Sequence, residues 1–182
     1  MLIRRRTTII GGVLAVSLTL GACGSSSSGV SAGTYVKSVC QAVGPFEKDV
    51  QSRSSALDLS TIKSPQEGKT ALQGFLNAVA ADTDKAVSQL KAAGSPDVKN
   101  GEKVSAAIVS AFTQLRGALG HAVTAAGNLP TSSATAFKTA AVSLGNTVRT
   151  SMSNIGSGLN GLSSPELESA AKKEKACQSL GS

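Results

Sequence analysis

Residues 64–94 of this chain read SPQEGKTALQGFLNAVAADTDKAVSQLKAAG, and they hold a complete helix between a start signal and a stop signal. Ser64 is placed to cap the helix, Pro65 occupies its first position, and Glu67 can return to the cap. Gly94 is the C-terminal stop. Between them, apolar residues recur at helical spacing: Leu72, Phe75, Leu76, Val79, Ala86, Val87 and Leu90. This stretch therefore predicts a long helix with one buried face.

Three further long segments show the same spacing of apolar residues. The first spans 36–57, the third spans 104–122 and ends before a Gly-Asn-Leu-Pro turn, and the fourth spans about 131–162. Ser164, Pro165 and Glu166 then open a short helix that carries Cys177. No segment shows the alternation typical of strands. The predicted fold class is all-α, an antiparallel bundle of four long helices plus a short C-terminal helix.

The first 22 residues predict a secretion signal of the lipoprotein type. Arginines at 4–6 precede an apolar stretch, Ile9–Leu20, which is shorter than the ~20 residues that a permanent membrane span needs. Leu20-Gly21-Ala22-Cys23 follows, with small residues before a cysteine that can take a diacylglycerol. We expect a signal peptide at 1–22, lipidation of Cys23 and a lipid-anchored location on the extracytoplasmic face of the cell membrane. Export by general secretion and by the twin-arginine route, which Arg5-Arg6 would serve, both stay open.

After Cys23 the chain changes composition. Gly and Ser dominate residues 23–33, which predicts a flexible tether, and residues 34–182 predict one helical domain. Without the three leader arginines, 15 Lys and Arg oppose 11 Asp and Glu, a net charge of +4. The lysines are dispersed, and four Phe and one Tyr are the only aromatic residues. This pattern argues against nucleic-acid binding and leaves the membrane, an envelope protein or an apolar ligand as partners.

The remaining cysteines, Cys40 and Cys177, lie near the two ends of the predicted domain. In an exported protein an even pair favours a disulfide. A redox site would normally place two cysteines in a Cys-x-x-Cys motif, which is absent. We therefore predict a structural disulfide that joins the first helix to the last.

Candidate catalytic and metal-binding groups are few. His121, the single histidine, lies away from the apolar stripe of its helix and is expected at the surface. Asp82 and Asp84 are two residues apart and should point to different faces, and Glu166 and Glu168 fall in the first turn of the last helix, where carboxylates favour the dipole. We predict no catalytic residues, no metal site and no cofactor.

The glycines Gly145, Gly156 and Gly158 lie in the predicted fourth helix, where each costs about 1 kcal/mol relative to alanine. Two interpretations are open. Each glycine could let a neighbouring helix pack closely, which we favour, or the C-terminal half of this helix could bend and open. The Gly44-Pro45 pair similarly predicts a kink in the first helix.

Three short motifs occur in a fixed order along the chain. They are Tyr35-Val36-Lys37-Ser38-Val39-Cys40, Pro96-Asp97-Val98-Lys99-Asn100-Gly101, and Pro165-Glu166-Leu167 followed by Ala176-Cys177. Together with the lipobox, Leu20 to Cys23, and the Ser/Gly tether they resemble a group of small actinobacterial lipoproteins of uncharacterised activity. The resemblance implies the envelope location, the terminal disulfide and an all-helical fold, and it provides no catalytic residues.

The sequence predicts a non-enzymatic binding or interaction module of the cell envelope. Such a module should have a filled core and should bind through an exposed helix face or the Ser95–Gly101 connection. The alternative is a carrier that holds an apolar or lipid ligand between helices, with a continuous apolar cavity of at least ~300 Å³. The four phenylalanines, Phe46, Phe75, Phe112 and Phe137, should pack together in the first case and surround the cavity in the second. An envelope enzyme is a third, more distant interpretation.

Overall fold

The computed structural model of the protein describes residues 29–57, 62–159, 162, 164–178 and 180. They form α1 (Ala32–Ala56), α2 (Pro65–Ala92), α3 (Gly101–Gly127), α4 (Ala134–Ser157), α5 (Pro165–Lys173) and α6 (Lys175–Gln178). Within these ranges there is no strand, and the predicted all-α bundle is confirmed. The predicted signal peptide and Cys23 lie outside the described residues.

Serine side chains cap the starts of four helices, α1, α2, α4 and α5. Ser64 Oγ accepts the backbone N–H of Glu67 at 3.2 Å, and the Glu67 carboxylate accepts the N–H of Lys63 at 3.0 Å. Ser31, Ser133 and Ser164 cap α1, α4 and α5 in the same way. These bonds satisfy backbone donors that have no partner inside the helix.

The helix ends differ from prediction in two places. α4 ends at Ser157 rather than near 162, so Leu159 and Leu162 lie beyond it and are 37% and 36% exposed. Gly156 and Gly158 at this point weaken the helix. The predicted C-terminal helix is divided into α5 and α6 by Glu174, whose backbone is extended.

The long helices pack in chain order. α2 contacts α1 on one side and α3 on the other, α4 contacts mainly α3, and α5 and α6 contact α1. The core lies between α2, α3 and α4, with one residue from the turn after α3: Leu76, Val79, Leu119, Ala122, Ala126, Leu129 and Leu144. Leu144 is the one buried residue of α4. α4 is therefore a peripheral helix that meets the bundle along a single narrow stripe.

A disulfide fastens the C-terminal helices to α1. Cys40 and Cys177 are bonded with their Cα atoms 5.1 Å apart, and 137 residues separate them in sequence. Nearby, Leu180 approaches Gly44, and α1 continues through Pro45 as one helix. The predicted pairing of Cys40 with Cys177 is confirmed.

The N-terminal end of α1 is held by the connection between α2 and α3. Val30 donates its N–H to Ser95 O at 2.9 Å and accepts the N–H of Asp97 at 2.7 Å. Tyr35, one turn into α1, is buried and forms a hydrogen bond with the Ser105 side chain, and burial raises the pKa of its hydroxyl. The segment from residue 29 onward, which the sequence places in the tether, is thus packed against the bundle.

A buried carboxylate links α1 and α2. Asp82 accepts a hydrogen bond from Lys85 Nζ at 2.9 Å and lies 3.4 Å from Arg53 Nε, while its own side chain is only 6% exposed. Asp84 points to the other neighbour and pairs with Arg116 of α3 at 2.9 Å. The prediction that these two aspartates face different directions is confirmed.

We expect Asp82→Asn to lower the free energy of unfolding by about 1–2 kcal/mol at pH 7. The Lys85 hydrogen bond, with the charges of Lys85 and Arg53, holds the pKa of Asp82 below its usual value near 3.8. A depressed pKa stabilises the folded state above the pKa of the unfolded chain, and this contribution disappears as the pH falls through the folded value. The difference between the variant and the original protein should therefore shrink below about pH 4.

Urea denaturation at several pH values measures this effect. Asp84→Asn is the matched control, because it removes the same charge from a pair whose side chains are 55% and 54% exposed. An exposed pair contributes about 0–1 kcal/mol. Equal losses for both variants would contradict a special role for Asp82.

The favoured interpretation of the α4 glycines is wrong. A Cβ atom built at Gly145 or Gly156 would meet nothing within 4 Å, so neither allows a close helix contact. The close contact occurs instead at Gly68 of α2, where a Cβ would lie 2.6 Å from Phe137 Cζ. Gly68 thus lets the α4 phenylalanine lie directly on α2.

Candidate ligand groove between α2 and α4

An open groove of about 660 Å³ runs between the N-terminal halves of α2 and α4. The end of α1 and the residues just before α2 contribute Leu57, Ile62 and Lys63 to its walls. The remaining lining residues are Ser64, Pro65, Leu72, Phe75, Leu76, Ala134, Phe137, Lys138, Ala141, Val142, Leu144, Gly145 and Val148. This groove, called the α2–α4 groove below, is predominantly apolar.

The groove exists because α4 contacts the rest of the bundle along only a narrow stripe. α4 packs mainly on α3, and its first half meets α2 through Phe137 lying on Gly68. Beside that contact, Ala141 and Gly145 provide too little side-chain volume to fill the space next to α2. Val142 is 57% exposed at the groove as a result.

The groove has a charged end. Lys63 precedes the N-cap of α2, and Lys138 lies in the second turn of α4. None of the described residues that line the groove is acidic. In the part of the chain that the structure describes, neither lysine belongs to an ion pair. Neither lysine stands out in the sequence, because each is one of many dispersed lysines until the fold brings the two to one groove.

The four phenylalanines divide into two pairs. Phe46 of α1 and Phe112 of α3 pack edge to face, with ring centroids 5.6 Å apart and an angle of 70° between the planes. Phe75 and Phe137 line the α2–α4 groove instead. One pair therefore packs together, as expected of an interaction module, and the other lines an open apolar groove, as expected of a carrier.

A second groove, of about 620 Å³, lies between α3 and α4. It includes His121 together with polar residues such as Gln114, Thr147 and Asn154. His121 is exposed, as the sequence predicts. The mixed lining makes this groove less suited to an apolar ligand than the α2–α4 groove.

The two candidate carboxylates of the last helix lie where the sequence predicts. Glu166 and Glu168 occupy the first turn of α5, and Ser164 donates a hydrogen bond to Glu166 at 2.8 Å. Across the described ranges, no three His, Cys, Asp or Glu side chains come together as a group able to hold a metal ion. Among the described helices, none combines the length and apolar character needed to cross a bilayer.

Several backbone groups of the Ser95–Gly101 connection, which the sequence predicts to be open to a partner, are bonded inside the fold. Ser95 O and Asp97 N are bonded to Val30, and Val98 O accepts the N–H of Gly101 at 2.9 Å. The Ser105 hydroxyl donates to the carbonyl of Gly94, just before the connection, at 2.7 Å. These particular groups are used inside the fold and are not free to bind a partner.

Comparisons with protein families, with curated proteins and with solved structures find no match for this chain. The function of the α2–α4 groove therefore has to be inferred from its shape and chemistry.

Proposed function

We propose that this protein is a lipid-anchored, extracytoplasmic binding protein of the cell envelope, that it holds an apolar ligand in the α2–α4 groove, and that it catalyses no reaction. The observation that carries the proposal is the groove itself. Its volume of about 660 Å³ lies well within the range of small-molecule sites. Aliphatic and aromatic side chains form most of its wall, which suits a ligand that gains free energy by leaving water.

The envelope location is proposed on the sequence around Cys23. Leu20-Gly21-Ala22-Cys23 has the form of a lipobox, and the Gly/Ser segment after it is suited to a tether. The resemblance to small actinobacterial lipoproteins supports the same location. A lipidated Cys23 would keep the groove close to a source of apolar ligands. Mass spectrometry of the native protein extracted from envelopes would report the acyl chains on Cys23 and any lipid that co-purifies.

Binding of the neutral, polarity-sensitive dye Nile red tests the groove directly. We expect saturable binding of one dye molecule per protein. Ala141→Trp should weaken this binding by at least about tenfold, because the indole would occupy the space that Ala141 leaves open. The variant should keep its far-UV circular dichroism, since the groove is open to solvent and can accept the ring.

The matched control is Ala136→Trp, which places the same side chain on α4 at an exposed residue outside the groove. It should leave dye binding unchanged. Non-saturable dye binding, or equal binding by the two folded tryptophan variants, would rule out the α2–α4 groove as the site. The interpretation as a surface interaction module would then be preferred.

A further inference from the structure

We propose that the ligand of the α2–α4 groove is a fatty acid whose carboxylate is bound by Lys63 and Lys138. This inference rests on the proposed function, because it identifies the head group of the apolar ligand assigned to the same groove. It adds a specific polar contact and a ligand charge that an apolar groove alone does not require.

The charge of the groove favours an anionic ligand. Lys63 and Lys138 are the ionisable side chains among the described lining residues, and both are positive. The nearest carboxylate in sequence, that of Glu67, accepts the backbone N–H of Lys63 and is not a lining residue. Among the described residues neither ammonium group is in an ion pair, and the two favour a negative head group over a neutral or positive one.

The two lysines lie near one end of the groove. Gly68 meets Phe137, and α2 and α4 run in the same direction in the antiparallel bundle, so their first turns lie at the same end of the groove. Lys63 and Lys138 are therefore both near that end. Beyond them the lining is apolar through Leu72, Leu76 and Val148. The groove thus has positive charge at one end and apolar walls along the rest of its length. This arrangement matches an amphiphile with one negatively charged end.

The dimensions favour a single acyl chain. Along α4 the lining extends from Ala134 to Val148, about 21 Å at 1.5 Å per residue. A channel of this length beside one helix suits one extended hydrocarbon chain. A ligand that covers the groove also removes water from the lysine ammonium groups, and this desolvation costs free energy. A carboxylate offsets the cost with charge-assisted hydrogen bonds, whereas a neutral head group cannot form them.

Displacement of Nile red by laurate and by lauryl alcohol separates the head group from the chain, because the two compounds share the same hydrocarbon. We expect laurate to bind more tightly than the alcohol and to weaken with added salt. In Lys63→Gln/Lys138→Gln, laurate affinity should fall by roughly fivefold to tenfold, while that of the alcohol stays unchanged. The control Lys91→Gln/Lys103→Gln removes two positive charges from exposed residues outside the groove and should change neither affinity.

Equal effects of the lysine variant on both compounds, or no effect on either, would overturn this inference. The proposed function would survive that result if Ala141→Trp still blocked the binding of Nile red. Light scattering tests whether a second copy of the chain, instead of a fatty acid, covers the groove. A dimer that Ala141→Trp dissociates would show that a second copy covers the groove, which would overturn both proposals.

Discussion

Replacing both Cys40 and Cys177 with serine is expected to lower the free energy of unfolding by about 3–5 kcal/mol. The bond closes a loop across 137 residues, nearly the whole helical domain. A cross-link of this span removes a large part of the conformational freedom of the unfolded chain, and the chain-entropy treatment gives about 5 kcal/mol for such a loop. Loss of the bond should therefore be among the most damaging changes to this fold.

The packing of the C-terminal helices points in the same direction. α5 and α6 contact α1 and each other, and neither contributes a fully buried residue. Without the bond, little apolar burial would hold them in place. We expect backbone amides of α5 to exchange with solvent much faster in the double variant, while those of α2 and α3 keep a larger share of their protection.

Urea denaturation followed by circular dichroism measures the change in stability, and hydrogen exchange measures the local effect. The original protein with its disulfide reduced is the matched control, since it loses the same bond without a substitution. It should agree with the double serine variant to within about 1 kcal/mol. A loss below about 1 kcal/mol in both samples would contradict the argument from loop closure.

Gly101→Ala is the second change for which we expect a large effect, a loss of about 2–4 kcal/mol in the free energy of unfolding. A Cβ at residue 101 would overlap the backbone carbonyl oxygen of Pro96. The connection cannot simply move away, because Ser95 and Asp97 are bonded to Val30 on its other side. Either α3 must shift at its first residue or these two hydrogen bonds must break.

Gly120→Ala is the control for this prediction. Gly120 is also in α3, but a Cβ there would meet nothing within 4 Å. This substitution should raise stability by up to about 1 kcal/mol, because alanine favours the helix. Thermal and urea denaturation of the two variants should therefore change in opposite directions. A Gly101→Ala protein as stable as the original would show that the close approach to Pro96 is not needed.

The contact between Gly101 and Pro96 also explains the Pro96-to-Gly101 motif. The residues at its two ends touch through backbone, which only glycine permits at residue 101. By sequence alone, the connection that contains this motif is a candidate surface for partners. Its main structural role is to join the ends of α2 and α3 to the segment before α1.

The parts of this protein that local sequence determined are those whose interactions stay within a few residues. Ser64, Pro65 and Glu67 define the start of α2 because capping bonds reach only three or four positions. Helical spacing likewise predicted the four long helices, although the end of α4 was placed too late. The pairing of Cys40 with Cys177 followed from counting, since only two cysteines remained after Cys23 was assigned to the lipid.

Only the tertiary structure decided which surfaces stay unfilled and which charges meet. The α2–α4 groove depends on how far α4 stands from a helix that is not its neighbour in sequence, and side-chain volumes at Ala141 and Gly145 determine that space only after the helices are placed. Lys63 and Lys138 are 75 positions apart in sequence and reach one groove through the same packing. Apolar periodicity shows which face of a helix is buried, but it carries no information about the distance to the helix it faces.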